Sequence, residues 1–593
     1  MFMFHVKQFC GRVILVIAAT LVNGAFPVVA GSPGTKAAAN ALPEIGKSNL
    51  TATFDVAKTF NTSAFSYTIE LAEERHGYRI FHLTFPSPIK TPIEANNTVP
   101  AEYYLPDGAS GESKRPAVLV LHILNGNFEL ERLLCTSLAV RGIPAVMIKL
   151  PYYGERSLPG GRAELVKRPE LFVEACSQGI QDARRTIDLL ASRPEVQTDR
   201  IGVTGISLGG LMSGATAGSD ARVHRTCLLL AGGDLLEIIH HCKEAKNLSE
   251  FLKQQEPVLR EKIETAIKGA DPLTYADQLR ERAQKGQVLM MNATEDDVIP
   301  PACSRKLAAA LGIEDKIVWF EGLGHYTAIA ALPQTFRKMV DFFAQDLPEG
   351  VHPTANSEPP PGSPGQLVGQ MLQNLSLFAG EEPANGKCHL VDLTATVTDK
   401  EGKKHDGHIR LARGSDHRFR IEFKIEAVGE GAWGQDTRPW MASPTTVFRG
   451  DSSDRSKDPL CEADPKFVAK YRTLAGGLGG ILLLPGVIEQ ALDVKEIKNE
   501  AQPNDPPAIW LSLKNKPQDS IRLTLNKDRR PTNATLKLRD VSGEITFRAW
   551  QFNTIAVDEL FQPPTDRPLK EVSSSDLYRM FGATFDFLME MSE

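Results

Sequence analysis

The chain has 593 residues, too many for one compact domain; the usual domain size implies roughly three to four units, or two larger ones. A composition of 42% hydrophobic, 24% charged and 7% aromatic residues supplies real cores and excludes a mainly disordered or fibrous chain. With Lys+Arg 67 against Asp+Glu 73 the formal charge is −6, so no overall basic excess points to nucleic acid as a partner.

Lys7 and Arg12 precede an apolar run over 13–22, and small residues around Val28 and Ala30 follow it. A charged start, a short greasy core and a small-residue exit describe a secretory signal peptide over 1–30. The run is about half the length of a membrane span, which argues against a retained anchor. Export, to the periplasm or the medium, implies a compartment where disulfides are allowed. No Cys-x-x-Cys pair occurs, so neither a zinc ribbon nor a thioredoxin-type redox site is suggested. Cys388 and Cys461 form the one pair confined to the C-terminal region. Cys227, beside Leu228, Leu229 and Leu230, reads as a buried free thiol.

Residues 44–350 alternate strand-like and helical patterns. Early strands are expected over 81–85 and 101–105. The continuous apolar run 117–122 suits a strand buried on both faces. A helix over 129–141, strand 143–150, helix 171–192 and strand 201–204 follow. After the small-residue helix 210–217 come strands 226–231, 287–291 and 317–320. Such alternation requires an α/β architecture, a mostly parallel sheet covered on both faces. The charged helical stretch 235–282 exceeds an ordinary crossover and is expected to form a cap.

A linker is expected over 351–366, where Ser357-Glu-Pro-Pro-Pro-Gly-Ser-Pro-Gly365 can neither continue a helix nor supply ladder donors. Over 367–593 the period changes to two. Phe419-Arg-Ile-Glu-Phe-Lys-Ile425 alternates without a fault, and 521–525, 536–538 and 545–547 repeat the theme. Antiparallel strands, about eight to ten, are expected there. Trp433, Trp440, Trp510 and Trp550 read as core aromatics. The apolar run 473–492 holds five glycines and Pro485, which favours a buried or lid helix over a membrane span.

Gly205-Ile-Ser207-Leu-Gly209 lies between a strand and a helix. A serine on that sharp turn is forced outward, and glycines two residues either side spare it collisions with neighbouring backbone. The N–H of Leu208, at the helix start, is placed to meet a developing oxyanion. A serine needs a base, and the base an orienting acid; after such an elbow the order is acid, then histidine. Glu295, Asp296 and Asp297 follow the strand 287–291, and His325, flanked by Gly322 and Gly324, follows the strand 317–320. All leave the same sheet edge, where sites of open α/β sheets lie. His240-His241-Cys242 is not read as a metal site, because helix neighbours point to different faces and no spaced acidic partner accompanies them.

With these motifs, residues of roughly 75 to 345 resemble an α/β-hydrolase, on the branch that includes dienelactone-hydrolase-like and acyl-esterase members. The family pattern Gly-x-x-Asp-x-x-Val/Ile-Pro aligns with Ala293-Thr-Glu-Asp296-Asp-Val-Ile-Pro300, which implies Asp296 as the acid, with Ala293 in place of glycine. The resemblance also implies Leu124 as the second oxyanion donor, although His122-Ile-Leu-Asn-Gly126 departs from the family's His-Gly. His122 itself reads as a loop-structuring residue. Tyr152, Tyr153 and Arg156 occupy a position that shapes the cleft floor in similar hydrolases; a buried aromatic turn with a structural arginine is the alternative. The region from about 388 to 572 resembles the outer-membrane lipoprotein carrier fold, an unclosed antiparallel half-barrel. It does so through strands 392–397, 408–411 and 419–425 and through Phe561-Gln-Pro-Pro564, and this implies an apolar ligand.

The expectation is an exported serine hydrolase of carboxylic esters, with Ser207 as nucleophile, His325 as base and Asp296 as acid. Its substrate would be a small-molecule, glycan or lipid ester. Water completes turnover, so no cofactor or metal is expected, and neither is a membrane span in the mature chain. The rival readings are a serine peptidase on the same fold and a non-catalytic carrier of apolar ligands.

Overall fold

The computed structural model describes residues 51–349, apart from 58–62, 76, 125–127, 162–163 and 166. Beyond these it describes 351, 367–368, 371, 374, 383–398, 402–415, 418–425, 428–435, 438–442, 492–497, 508–513, 516–538, 541–562 and 570–571. The expected signal peptide, the proline-rich stretch, Cys461 and the apolar run up to 491 lie outside the described residues. The chain divides into two compact units, with described residues within 30–358 and within 359–593.

The first unit is built on one mixed sheet. Its strands are β1 (Thr51–Val56), β2 (Phe65–Arg75), β3 (Tyr78–Pro86), β4 (Thr98–Pro106), β5 (Arg115–Leu121) and β6 (Ala145–Ile148). β7 (Val196–Ile206), β8 (Val223–Leu229), β9 (Val288–Ala293) and β10 (Val318–Phe320) complete it, in the order β1-β2-β3-β4-β6-β5-β7-β8-β9-β10. β1 to β4 pair antiparallel and meet β6 antiparallel; from β6 to β10 every pairing is parallel. Every residue of β5 and β6 is buried, as a strand covered on both faces requires. β1 and β2 were not among the expected strands. Their signal was nonetheless present, because Phe65, Tyr67 and Ile69 alternate inward along β2.

Helices α1 (Glu129–Arg141) and α2 (Pro169–Ser192) flank the sheet, and α3 (Leu208–Ser219) follows β7. α2 buries Ile180, Ala183, Ile187 and Leu190 at helical spacing, and it packs on β5 and β7. Between β8 and β9 run α4 (Leu235–His241), α5 (Lys246–Gln254), α6 (Pro257–Lys268) and α7 (Ala276–Gln284). Asp271 closes this excursion on itself, its carboxylate accepting from Leu235 N at 2.8 Å and Leu273 N at 2.9 Å. α7 packs on β9 and buries Leu279 and Ala283, whereas α5 and α6 pack on α2. α8 (Pro301–Leu311) and α9 (Leu332–Ala344) complete the unit. Among the described residues no helix is long and apolar enough to cross a membrane.

The second unit is one antiparallel sheet. Its strands are β11 (Lys387–Thr398), β12 (Lys404–Gly414), β13 (Arg418–Ile425), β14 (Val428–Gln435), β15 (Arg438–Ala442) and β16 (Leu492–Ile497). β17 (Ala508–Leu513), β18 (Lys516–Leu525), β19 (Pro531–Leu538), β20 (Val541–Ile555) and β21 (Lys570–Glu571) follow. The sheet runs β16-β17-β18-β19-β20-β11-β12-β13-β14-β15-β21, so it is open, with β16 and β21 as its described edges. β11 sits mid-sheet and pairs with both its sequence neighbour β12 and the distant β20. One face carries Ala395, Val397, Leu523, Leu525, Ala534, Leu536 and Ile545, with Val368 packed against them. A cavity of about 390 Å³ lies between Leu367 and Met371, the turn Asp528 to Arg530, and Trp550 with Phe552. Trp510 and Trp550 are half-buried rather than core residues; Trp550 lines this cavity, and Lys495 Nζ lies 5.5 Å from the ring centre of Trp510.

Candidate active site

The sheet order reverses around β5: the chain steps from β5 outward to β6 and then returns to place β7 on the other side. Crevices that hold ligands form at the carboxyl ends of such strands. Leu121 of β5 pairs with Gly205 of β7, so the loop after β5 and the turn after β7 leave the same edge side by side.

Ser207 occupies that turn with φ 54° and ψ −118°, a positive φ that a serine adopts only under constraint. The constraint is close packing. A Cβ on Gly205 would come within 2.6 Å of the Leu121 carbonyl oxygen, and one on Gly209 within 2.1 Å of the same atom. Only glycine permits β7 and α3 to approach β5 so closely. Leu208 is the first residue of α3, so its N–H has no acceptor within the helix.

The loops after β9 and β10 are joined to each other. Thr294 Oγ1 accepts from Gly322 N at 2.8 Å, and Glu295 N donates to Leu323 O at 2.9 Å. This brings Asp296 beside His325. Asp296 Oδ1 accepts from Val298 N at 2.9 Å and Ile299 N at 2.7 Å, while Oδ2 lies 2.8 Å from His325 Nδ1. A carboxylate only accepts, so Nδ1 carries the proton and Nε2 is left to accept. His325 Nε2 stands 2.9 Å from Ser207 Oγ. Asp296 and His325 are 5% and 9% exposed, whereas Glu295 and Asp297 point to solvent. Of the three acids left open by the residues alone, the geometry brings Asp296 to the histidine.

Leu124 lies in the loop after β5, as expected, and His122 organises that loop. His122 is fully buried; its Nε2 accepts from Leu150 N at 3.0 Å, so Nδ1 carries the proton donated to Ile123 O at 2.7 Å. Burial pushes its pKa down to about 4, keeping the ring neutral. Tyr153 packs edge-on against this ring, with centroids 4.6 Å apart.

Arg156 and Tyr152 correct the expectation that they border a substrate. Arg156 is 0% exposed, 2.9 Å from the equally buried Asp182, and donates to Lys149 O and Asn96 O at 2.9 and 2.7 Å. It ties the loop after β6 to α2 and to the β3–β4 connection. Tyr152, with φ 71°, turns inward to pack with Leu158, Leu165 and Leu171. The guanidinium is sealed from solvent, with its Nη atoms on protein oxygens and its Nε buried without a partner, so no edge of it is open to a ligand.

Two residues near the site escaped the sequence reading. Tyr326, 58% exposed, packs edge-on against His325 and donates its hydroxyl to Glu244, linking the histidine loop to the segment between α4 and α5. Glu131 of α1 is 1% exposed and accepts from Ile123 N at 3.0 Å. Its signal was legible: 131, 134, 135 and 138 share one helical stripe, and the other three are apolar residues buried in the core.

Residues 175–349 match the prolyl oligopeptidase family, a span holding Ser207, Asp296 and His325. No curated protein matches the chain. Among solved structures, an acetyl xylan esterase from Paenibacillus sp. R4 is similar at 20% identity and TM-score 0.37, over 47% of this chain and 89% of that one. Acetyl xylan esterase 1 from Thermoanaerobacterium sp. JW/SL YS485 is similar at 18% identity and TM-score 0.34, over 46% and 87%. The acylaminoacyl peptidase of Pyrococcus horikoshii is similar at 15% and 0.33, over 51% of this chain and half of that one. Identities this low assign no substrate. The strand order, the helices on both faces and the serine elbow make the first unit an α/β-hydrolase fold.

Proposed function

We propose that the protein is a serine hydrolase acting on carboxylic esters. The observation that carries this reading is the continuous relay from Ser207 Oγ through His325 to Asp296, at 2.9 and 2.8 Å. In this mechanism Ser207 Oγ attacks the ester carbonyl carbon and His325 Nε2 takes its proton. The N–H groups of Leu208 and Leu124 receive the oxyanion. The carbon–oxygen bond to the alcohol breaks as His325 returns the proton to the leaving oxygen. Water then repeats the sequence on the acyl-enzyme and releases the acid. Asp296 holds the imidazole tautomer and stabilises its cation. Esters are the minimal substrate of such a relay, because an alkoxide leaves more readily than an amine and asks for no cleft to hold a peptide. The test is release of 4-nitrophenol from acetyl and longer acyl esters: turnover lost in a folded Ser207→Ala variant supports the reading, and retained turnover overturns it.

The match to the prolyl oligopeptidase family favours a second reading, in which the same relay cleaves peptides. Aminoacyl 4-nitroanilides tested beside the acyl esters separate the two. For the second unit we propose an apolar ligand beside Trp550, where Leu367, Met371 and Phe552 offer apolar contacts next to Asp528, Arg529 and Arg530. A fluorescence titration of Trp550 with dodecanoate, against its Ala variant, tests that. Export rests on the charged and apolar start of the sequence, and N-terminal sequencing of the mature protein tests it.

A further inference from the structure

We propose that Glu131 and His122 are positioning residues that together aim the Leu124 N–H at the oxyanion. The inference rests on the hydrolase reading above and adds to it the devices that fix one donor. The Ile123 carbonyl and the Leu124 N–H belong to one peptide unit, and no cis peptide bond is present, so the two groups point in opposite directions. His122 Nδ1–H holds that carbonyl at 2.7 Å, which sets the direction of the Leu124 N–H. Glu131 Oε1 holds the N–H of the preceding peptide unit at 3.0 Å. Two successive peptide planes are therefore pinned by side chains, one from α1 and one from the end of β5. His122 is itself held from the β6 side by Leu150 N, at 3.0 Å.

This loop needs such anchoring because of its sequence. The family's glycine is absent, and Ile123 and Leu124 bring side chains that restrict but do not fix the backbone. The loop lies beyond the end of β5, so no ladder bond continues into it. A buried carboxyl is a costly way to hold one amide, and burial pushes the Glu131 pKa up to about 7. A purely structural role would be filled as well by an apolar side chain, as at Leu134 and Leu138 on the same stripe.

The test compares Glu131→Leu, Glu131→Gln and His122→Asn in the full chain. Gln keeps the acceptor, and Asn keeps a donor near the Nδ1 position. Two rates are read: kcat and KM for 4-nitrophenyl acetate, and labelling of Ser207 by a fluorophosphonate. Loss of one oxyanion donor typically slows catalysis by about 10²–10³, so a misaimed one should cost roughly 10–100-fold. Glu131→Leu is expected to lower kcat and labelling by that factor with KM within about twofold, while Glu131→Gln and His122→Asn retain most of both rates. Equal rates in Glu131→Leu and wild type would overturn the proposal, as would equal loss in the Leu and Gln variants. Should Glu131→Leu fail to fold, His122→Phe against His122→Asn makes the same comparison. Wild-type protein that neither turns over nor labels would instead remove the hydrolase reading, and this inference with it.

Discussion

The two sheets place chemistry in different ways. In the first unit, parallel strands deliver the loops after β5, β7, β9 and β10 to one edge, so residues more than a hundred positions apart meet within hydrogen-bond distance. In the second, strands alternate direction, so loops are shared between both ends and what the sheet offers is a face. That face is apolar, and a pocket of mixed lining lies between Leu367, Met371 and Asn374, the turn Asp528 to Arg530, and Trp550 with Phe552. Parallel topology gathers reactive groups at a point; antiparallel topology spreads a binding surface. Reaction is accordingly proposed for the first unit and ligand binding for the second.

The sharpest way to break that division is to remove the relay. Ser207→Ala should lower kcat on acyl esters by about a million-fold, as loss of the nucleophile does in comparable triads. Asp296→Asn, which leaves the geometry but presents the wrong tautomer, should cost about 10³–10⁴-fold. Both are read from initial rates on 4-nitrophenyl esters, and both should leave ligand binding by the second unit unchanged.

Arg156 tests whether the cleft floor is structure or specificity. Removing it leaves Asp182 buried without its partner, so Arg156→Ala should lower unfolding free energy by about 3–5 kcal/mol in urea titrations. The KM of the remaining folded enzyme should hardly move. A changed acyl preference at unchanged stability would restore it to the substrate site.

The pH dependence of stability separates the two anchors of the oxyanion loop. Glu131 has a folded pKa of about 7 against 4.5 unfolded, so its contribution is full below 4.5 and is lost as pH rises through 7. His122 has a folded pKa of about 4 against 6.5 unfolded, so its contribution is present above 6.5 and is lost as pH falls through 4. Each window is worth about 3 kcal/mol, by order of magnitude. Glu131→Gln should therefore gain on the wild type as pH rises from 5 to 8, and His122→Asn should gain on it as pH falls from 7 to 4. Denaturant midpoints across that range read both slopes. The smallest effect is expected at Trp550, where substitution by Ala should weaken dodecanoate binding about tenfold, with kcat on short esters unchanged.

The relay was legible because each of its parts carries local punctuation. Glycines bracket Ser207, prolines and acids follow β9, and glycines flank His325, since backbone at these turns tolerates little else. The helix over 129–141 was legible from its periodicity, and α2 nearly so. What stayed hidden depends on who packs against whom. Nothing local distinguishes an arginine that meets substrate from one sealed against Asp182, 26 positions away on α2. Four consecutive helical segments read alike, yet α7 settles on β9 while α5 and α6 pack on α2. In the second unit alternation revealed the strands; their number, eleven among the described residues, and the return of β20 to β11 follow from pairing, which period alone does not encode.

A covalent intermediate at Ser207 is the step on which the proposed hydrolysis turns, and acid-quenched turnover followed by peptide mass spectrometry observes it directly. During hydrolysis of a 4-nitrophenyl ester, the peptide containing Ser207 should carry the acyl group, and the adduct should vanish in Ser207→Ala. Steady turnover with an unmodified Ser207 peptide, or with the acyl group on another residue, would contradict it.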